Sequence, residues 1–124
     1  MATFADILGT KLPPNTGEDS FSLMPLLKGG SEPIRQHAIS HAASGLPSLR
    51  DGHWKIIFGP GAGGFGSANK QAANDEEAKV RVQLYDLATD LGETKNVAAE
   101  HPELVAKLSK VMEKLVNDGR STPG

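Results

Sequence analysis

The sequence predicts an α+β fold: a small antiparallel sheet of three to four strands packed against one long C-terminal helix, preceded by a short truncated helix. Three observations predict it. From Pro102 onward, Leu104, Val105, Leu108, Val111, Met112, Leu115 and Val116 form one apolar stripe at helical spacing, with Lys107, Lys110, Glu113 and Lys114 opposite. The segment SLRDGHWKIIF places Asp51-Gly52, a favoured two-residue turn, between arms Ser48–Arg50 and His53–Phe58. Val80–Leu87 alternates, with Val80, Val82 and Leu84 on one face, and reads as a returning strand.

Each element has its own justification, taken in chain order. ATFADIL sets Phe4, Ile7 and Leu8 on one helical face; Gly9 ends the turn and Pro13-Pro14 forbid its continuation. Such a helix is too short to stand alone, and reads as the tail of a longer one. The short apolar run Leu23–Leu27 is held between turn formers. IRQHAISHAAS reads as a strand, then comes the DG hairpin. Its apolar exit Ile56-Ile57-Phe58 marks a strand covered on both sides or ending under a loop. Residues 59–79 hold few large apolar side chains and read as a solvated excursion. TDLGETKN is a turn in which Gly92 is available for positive φ. Pro102 suits the first position of the last helix, Glu103 its first turn, and Asn117-Asp118-Gly119 its end.

At 124 residues the chain is sized for one domain. Its 13 basic and 15 acidic side chains give a net charge of −2 without any basic block, which makes nucleic acid and anionic membranes poor partners. No apolar stretch is long enough to span a bilayer, and MATFADILG lacks the basic flank and apolar core of a signal peptide. With 0 cysteines there is no disulfide, thiolate metal site or cysteine nucleophile, and every redox compartment stays open. Fourteen glycines and eight prolines against six aromatic residues indicate many turns around a modest core.

Three short motifs invite a chemical reading. GPGAGGFG, residues 59–66, contains G-x-G-x-x-G twice after an apolar strand. A dinucleotide fingerprint needs a helix next, and FGSANKQAANDEEAKV has no apolar stripe; Lys70 is not preceded by Gly or followed by Ser/Thr as a Walker loop requires. The run is read as a connection. His37 and His41, four apart on an extended segment without a carboxylate between them, make a weak metal pair. Ser31-Glu32-Pro33-Ile34-Arg35 matches S-x-P-x-R, the frame around the formylglycine precursor of sulfatases. Ile34 stands where that frame has a small residue, and the motif is rejected as a nucleophile.

The order of the segments nevertheless resembles the C-terminal portion of the arylsulfatase-type sulfatases, within the alkaline-phosphatase-like superfamily. The correspondence runs through MATFADILG, GEDS-x-SLMPLLKG, SLRDG-x-WKIIFGPG, QLYDLATDLGETKN, HPELVAKLSKVMEKL and DGRSTPG. L-Y-D-L-x-x-D-x-x-E-x-x-N followed by the HPE helix is its most specific part, and Leu91 replaces the family's usual proline. The resemblance implies that residues 1–30 are the tail of the catalytic domain (last helix and connecting loop) and residues 31–124 the C-terminal subdomain. It implies a fragment, with Met1 at an internal methionine of a parent sulfuric ester hydrolase.

That parent uses formylglycine and calcium, on motifs upstream of the region matched. Hence no catalytic residue, no metal ligand and no cofactor site is assigned to this chain, and Asp75-Glu76-Glu77 is read as a solvated face. The expected partners are the missing catalytic domain and, in the parent, a sulfated small molecule or sugar. Such parents are often exported or periplasmic, while this sequence names no compartment. Two readings of His41, with Ser44 and Gly45 nearby and Arg50 beyond, stay open: it lines the parent's substrate cleft, or it is a histidine bonded within the sheet. The alternative is a free-standing, non-enzymatic binding or assembly module. A module buries Phe4, Ile7 and Leu8 internally; a fragment leaves them exposed.

Overall fold

A four-stranded antiparallel meander in the order β1-β2-β3-β4 organises residues 37–112. Its strands are β1 (His37–His41), β2 (Pro47–Asp51), β3 (Trp54–Ile57) and β4 (Gln83–Asp86). The computed structural model describes residues 1–61 and 80–122, which divide into this unit and a second one, residues 1–36 with 113 onward. The register aligns Ile39 with Leu49, Leu49 with Ile56, and Ile56 with Leu84. Because strand side chains alternate between faces, these four form one apolar row across the sheet. Leu49, Ile56 and Leu84 are fully buried. So is Leu108 of the helix Pro102–Asp118, here α3, whose lysines lie in solvent.

Two details depart from the sequence reading. Asp51 pairs with Trp54, so the hairpin loop is Gly52-His53, one residue later than the DG dipeptide. Gly52 takes φ 60 as the first loop residue, the position at which a two-residue turn most needs glycine. Second, β4 begins at Gln83 rather than Val80, because its partner β3 ends at Ile57 and leaves Val80 and Val82 nothing to pair with.

Steric crowding just past β3 accounts for the start of the glycine run. Gly59 is buried at φ 151, and a Cβ there would lie 2.3 Å from Cδ1 of Leu46. The backbone passes where only glycine fits. The carbonyls of Gly59 and Gly61 both accept from the side-chain amide of Gln83, at 2.7 and 3.0 Å. A phosphate cradle presents N–H groups to its ligand; this turn presents its carbonyls to the adjacent strand. The rest of the run, Lys70 and Asp75-Glu76-Glu77 lie outside the described residues.

The other unit holds two short helices, α1 (Ala2–Ile7) and α2 (Met24–Leu27). The second was not legible as a helix, since Pro25 reads as a breaker; it stands in the first turn, where its missing N–H costs nothing. Both helices end in the same double-bonded stop. Gly9 donates to Asp6 and Thr10 to Ala5, while Gly29 donates to Leu26 and Gly30 to Pro25. Ala5 is the buried residue of α1. Phe4, Ile7 and Leu8 are 71%, 58% and 77% exposed, and Leu27 is 67% exposed. No helix among the described residues is long and apolar enough to cross a membrane.

Gly59→Ala is expected to lower stability by about 1–3 kcal/mol through overpacking against Leu46. Part of that loss should return in the Leu46→Ala background. Urea denaturation of the two single variants and the double variant reads this coupling directly.

Candidate functional site

His41 closes the edge strand β1, opposite Pro47, and its imidazole is exposed. No hydrogen bond or ion pair engages it among the described residues. The hairpin beyond it is held by Ala42 N–H donating to Leu46 and Gly45 N–H donating to Ala42, both at 2.9 Å. Ala43, Ser44 and Gly45 at its tip are exposed beside His41. Arg50 does not join this group. It pairs with Ala38, on the face of the sheet opposite to His41, and its Nε donates to Gly52 O at 2.9 Å. His37 shares the face of His41, but four strand residues separate them by about 13 Å, too far for one metal ion. His37 Nδ1 is buried without a hydrogen bond, 3.7 Å from Asp51 Oδ1. Ser31 is exposed on a loop, with no base bonded to it among the described residues. Among the described residues no three His, Asp or Glu side chains gather as metal ligands.

The polar residues of the L-Y-D-L-x-x-D-x-x-E-x-x-N segment all have local work. Tyr85 Oη donates to Gln83 Oε1 at 2.7 Å, which fixes the amide that holds Gly59 and Gly61. Burial, then the carboxylates of Glu93 and Asp90, push the Tyr85 hydroxyl above its ordinary value and keep it a donor. Asp86 Oδ1 accepts from Ala88 N–H. Asp90 closes the next turn by accepting from the N–H groups of Thr94 and Lys95 at 2.8 and 2.9 Å. Those bonds, Lys95 first, hold its carboxyl below the usual range. Glu93, not Gly92, takes the left-handed conformation at φ 53, and its Oε1 lies 2.6 Å from Lys55 Nζ. The ion pair anchors the one strained residue of the turn to β3. Asn96 Oδ1 accepts from both Leu84 and Ala98 N–H, and Val97 N–H donates to Leu84 O. The segment thereby folds back and covers the open edge of β4.

A second pair of segments meets across the length of the chain. Ser121 donates from its hydroxyl and its N–H to Asp19 Oδ1, at 2.7 and 2.8 Å, and Thr122 Oγ1 donates to Glu18 O at 2.6 Å. Arg120 Nη1 reaches Pro14 O at 2.6 Å. The Ser121 hydroxyl and N–H, with Arg120 nearby, hold the Asp19 carboxyl below its ordinary value. Glu18-Asp19 and Arg120-Ser121-Thr122, distant in sequence, are two halves of one clasp.

One further cluster was not singled out by the sequence. Trp54 lies between two imidazoles, with ring centroids 5.2 Å from His53 and 5.3 Å edge-on from His101 at the head of α3. His53 Nε2 is 3.9 Å from Asp86 Oδ1. The indole is occupied by its own neighbours, which ties the hairpin tip to the helix start.

No protein-family model matches the chain. It is 31% identical over 113 residues to an N-acetylgalactosamine-6-O-sulfatase of Bacteroides thetaiotaomicron, covering 90% of this chain and 21% of that protein. It is 31% identical over 127 residues to arylsulfatase K of Mus musculus, covering 93% and 20%. A solved structure from work on the metabolism of multiple glycosaminoglycans by Bacteroides thetaiotaomicron superimposes with a TM-score of 0.70 at 28% identity. It covers 92% of this chain and 23% of that one. A 2-O GAG sulfatase shares the fold, with a TM-score of 0.63 at 19% identity over 94% and 23%. The chain spans about a fifth of the length of the curated relatives it matches.

Asn96→Ala leaves Leu84 N–H without its acceptor and is expected to cost about 1–3 kcal/mol in chemical denaturation. The depressed carboxyls of Asp19 and Asp90 stabilise the fold above their ordinary value of 3.8. That contribution is lost as pH falls below it, because the unfolded chain then binds more protons. Melting curves from pH 7 to pH 3 should show a shallower acid loss in Asp90→Asn than in the parent chain.

Proposed function

Since this chain corresponds to the C-terminal region of an arylsulfatase-type sulfatase, we propose that it serves a sulfuric ester hydrolase as a non-catalytic subdomain, scaffold and substrate-cleft rim. The exposure of Phe4, Ile7 and Leu8 carries the reading. Two large apolar side chains on one short helix and a third at its C-terminal cap are what a surface covered by another body looks like, and it is the pattern a self-sufficient module avoids. The covering body is the catalytic domain of the whole enzyme, which supplies formylglycine and calcium from residues outside this chain. The ligand set of calcium, six to eight oxygens at one point, does not fit the described residues, and no step of sulfate-ester cleavage is routed through them.

The substrate class of the whole enzyme is a sulfated sugar, a reading supported by the N-acetylgalactosamine-6-O-sulfatase relative. His41 is the residue we assign to its rim. Its imidazole is exposed, unbonded among the described residues, and set beside a short hairpin of small residues, so it is available to hydrogen-bond a sugar or sulfate oxygen.

The chain by itself is expected to hydrolyse no aryl sulfate, with or without calcium. Turnover that survives purification and vanishes in Ser31→Ala would refute the reading. In the complete enzyme, His41→Ala should raise KM or shift preference among sulfated sugars while leaving kcat nearly unchanged. Unaltered kinetics over a panel of such sugars would remove His41 from the rim.

A further inference from the structure

The hairpin that follows His41 has little of its own to hold its shape. Residues 42–46, AASGL, close the turn with two backbone bonds, and among the described residues none of their side chains makes a hydrogen bond. Alanine, serine and glycine offer little surface to pack, and Gly45 sits at φ 84 with no Cβ to restrain it. Leu46 is the one large side chain of the five. It is half-buried, and its Cδ1 methyl lies over Gly59, in the space that a Cβ there would fill. Where Gly59 goes, the hairpin follows.

Gly59 in turn is held from β4. Phe58 N–H donates to Pro47 O at 3.0 Å, the last bond of this strand to β2 among the described residues. Past it, a single side chain fixes the backbone. The amide nitrogen of Gln83 donates to Gly59 O and Gly61 O, at 2.7 and 3.0 Å. The amide can do so only one way round, since a half-turn would set its oxygen against two carbonyls. Tyr85 selects the working orientation: its buried hydroxyl donates to Gln83 Oε1 at 2.7 Å. The two side chains meet because residues two apart on a strand share a face. A continuous path of contacts thus runs from Tyr85 through Gln83, Gly59 and Leu46 to the turn beside His41.

We propose that Gln83, oriented by Tyr85, is a positioning residue for the substrate rim: it fixes Gly59, Gly59 seats Leu46, and Leu46 sets the hairpin that orients His41. The inference rests on the reading of His41 as a rim residue. Neither Gln83 nor Tyr85 touches substrate in this role. Its effect falls on how the sugar is held and not on the reacting atoms, so it belongs in KM rather than kcat.

Gln83→Met keeps the length of the side chain and removes its donors, while Tyr85→Phe removes only the hydroxyl. In this chain, amide hydrogen exchange at Ala42 and Gly45 should quicken about fivefold in either variant, the worth of one hydrogen bond, while the amides of α3 keep their rates. Unchanged rates at Ala42 and Gly45 in both variants overturn the proposal. So does an acceleration shared equally by α3, which marks a general loss of stability. In the complete enzyme, Gln83→Met should raise KM for a sulfated sugar about threefold with kcat unchanged, and should raise it no further when added to His41→Ala. A KM that stays fixed in Gln83→Met where His41→Ala raises it overturns the proposal and leaves the rim standing. If His41→Ala itself has no effect, the rim reading falls and takes the proposal with it, and the exchange rates then report a structural brace alone.

Discussion

One row of four aliphatic side chains, Ile39, Leu49, Ile56 and Leu84, sets the register on which everything else in the sheet unit depends. A slip of one residue in any strand would turn its member of the row to the opposite face and bring a polar neighbour inward. Held in register, the row buries Leu49, Ile56 and Leu84 completely. The same register sends Arg50, Lys55 and Tyr85 together to the other face, where Lys55 can hold Glu93 and Tyr85 can orient Gln83. Packing on one side thus places the polar network on the other.

That network changes what the sulfatase-like motifs mean. Tyr85, Asp86, Asp90, Glu93 and Asn96 look in sequence like a set of functional side chains. Each is spent on the chain's own backbone or on a neighbouring side chain within the same turn. Glu18-Asp19 and Ser121-Thr122 are spent on each other. Polar residues recur here because turn geometry and a covered strand edge demand these acceptors at these spacings.

The sequence made α3 and the antiparallel class legible, since a long stripe and a hairpin dipeptide are local signals. It was less informative wherever a distant partner decides. The turn register moved from Asp51-Gly52 to Gly52-His53 because Asp51 pairs with Trp54. Positive φ fell on Glu93 rather than Gly92 because Asp90 and Lys55 together fix that turn. β4 lost Val80 and Val82 because β3 had already ended. Of the candidate site, His41 was legible as a polar residue on a strand, but Arg50 was read with it although parity places the two on opposite faces. The Trp54–His53–His101 cluster left no sequence signal, since His101 comes from the far side of a long connection.

The two units also differ in what holds them. Of the buried apolar residues among those described, Ala5 belongs to the N-terminal unit, while Leu49, Ile56, Ile57, Leu84, Tyr85 and Leu108 belong to the sheet unit. At α1 and α2, Ala2 N–H donates to Ser20 Oγ and Leu23 N–H to Thr3 Oγ1, while Ser121, Thr122 and Arg120 bond Asp19, Glu18 and Pro14. Such bonds contribute only about 1 kcal/mol each, against a similar entropic cost for every residue they order. Burial of a phenylalanine, isoleucine or leucine contributes about 1.5–3 kcal/mol, so covering Phe4, Ile7 and Leu8 would add more than any single bond of the clasp. A unit built this way has the backbone of a finished structure and the surface of an interface. On the proposed function, the body that covers those three side chains would stabilise it most.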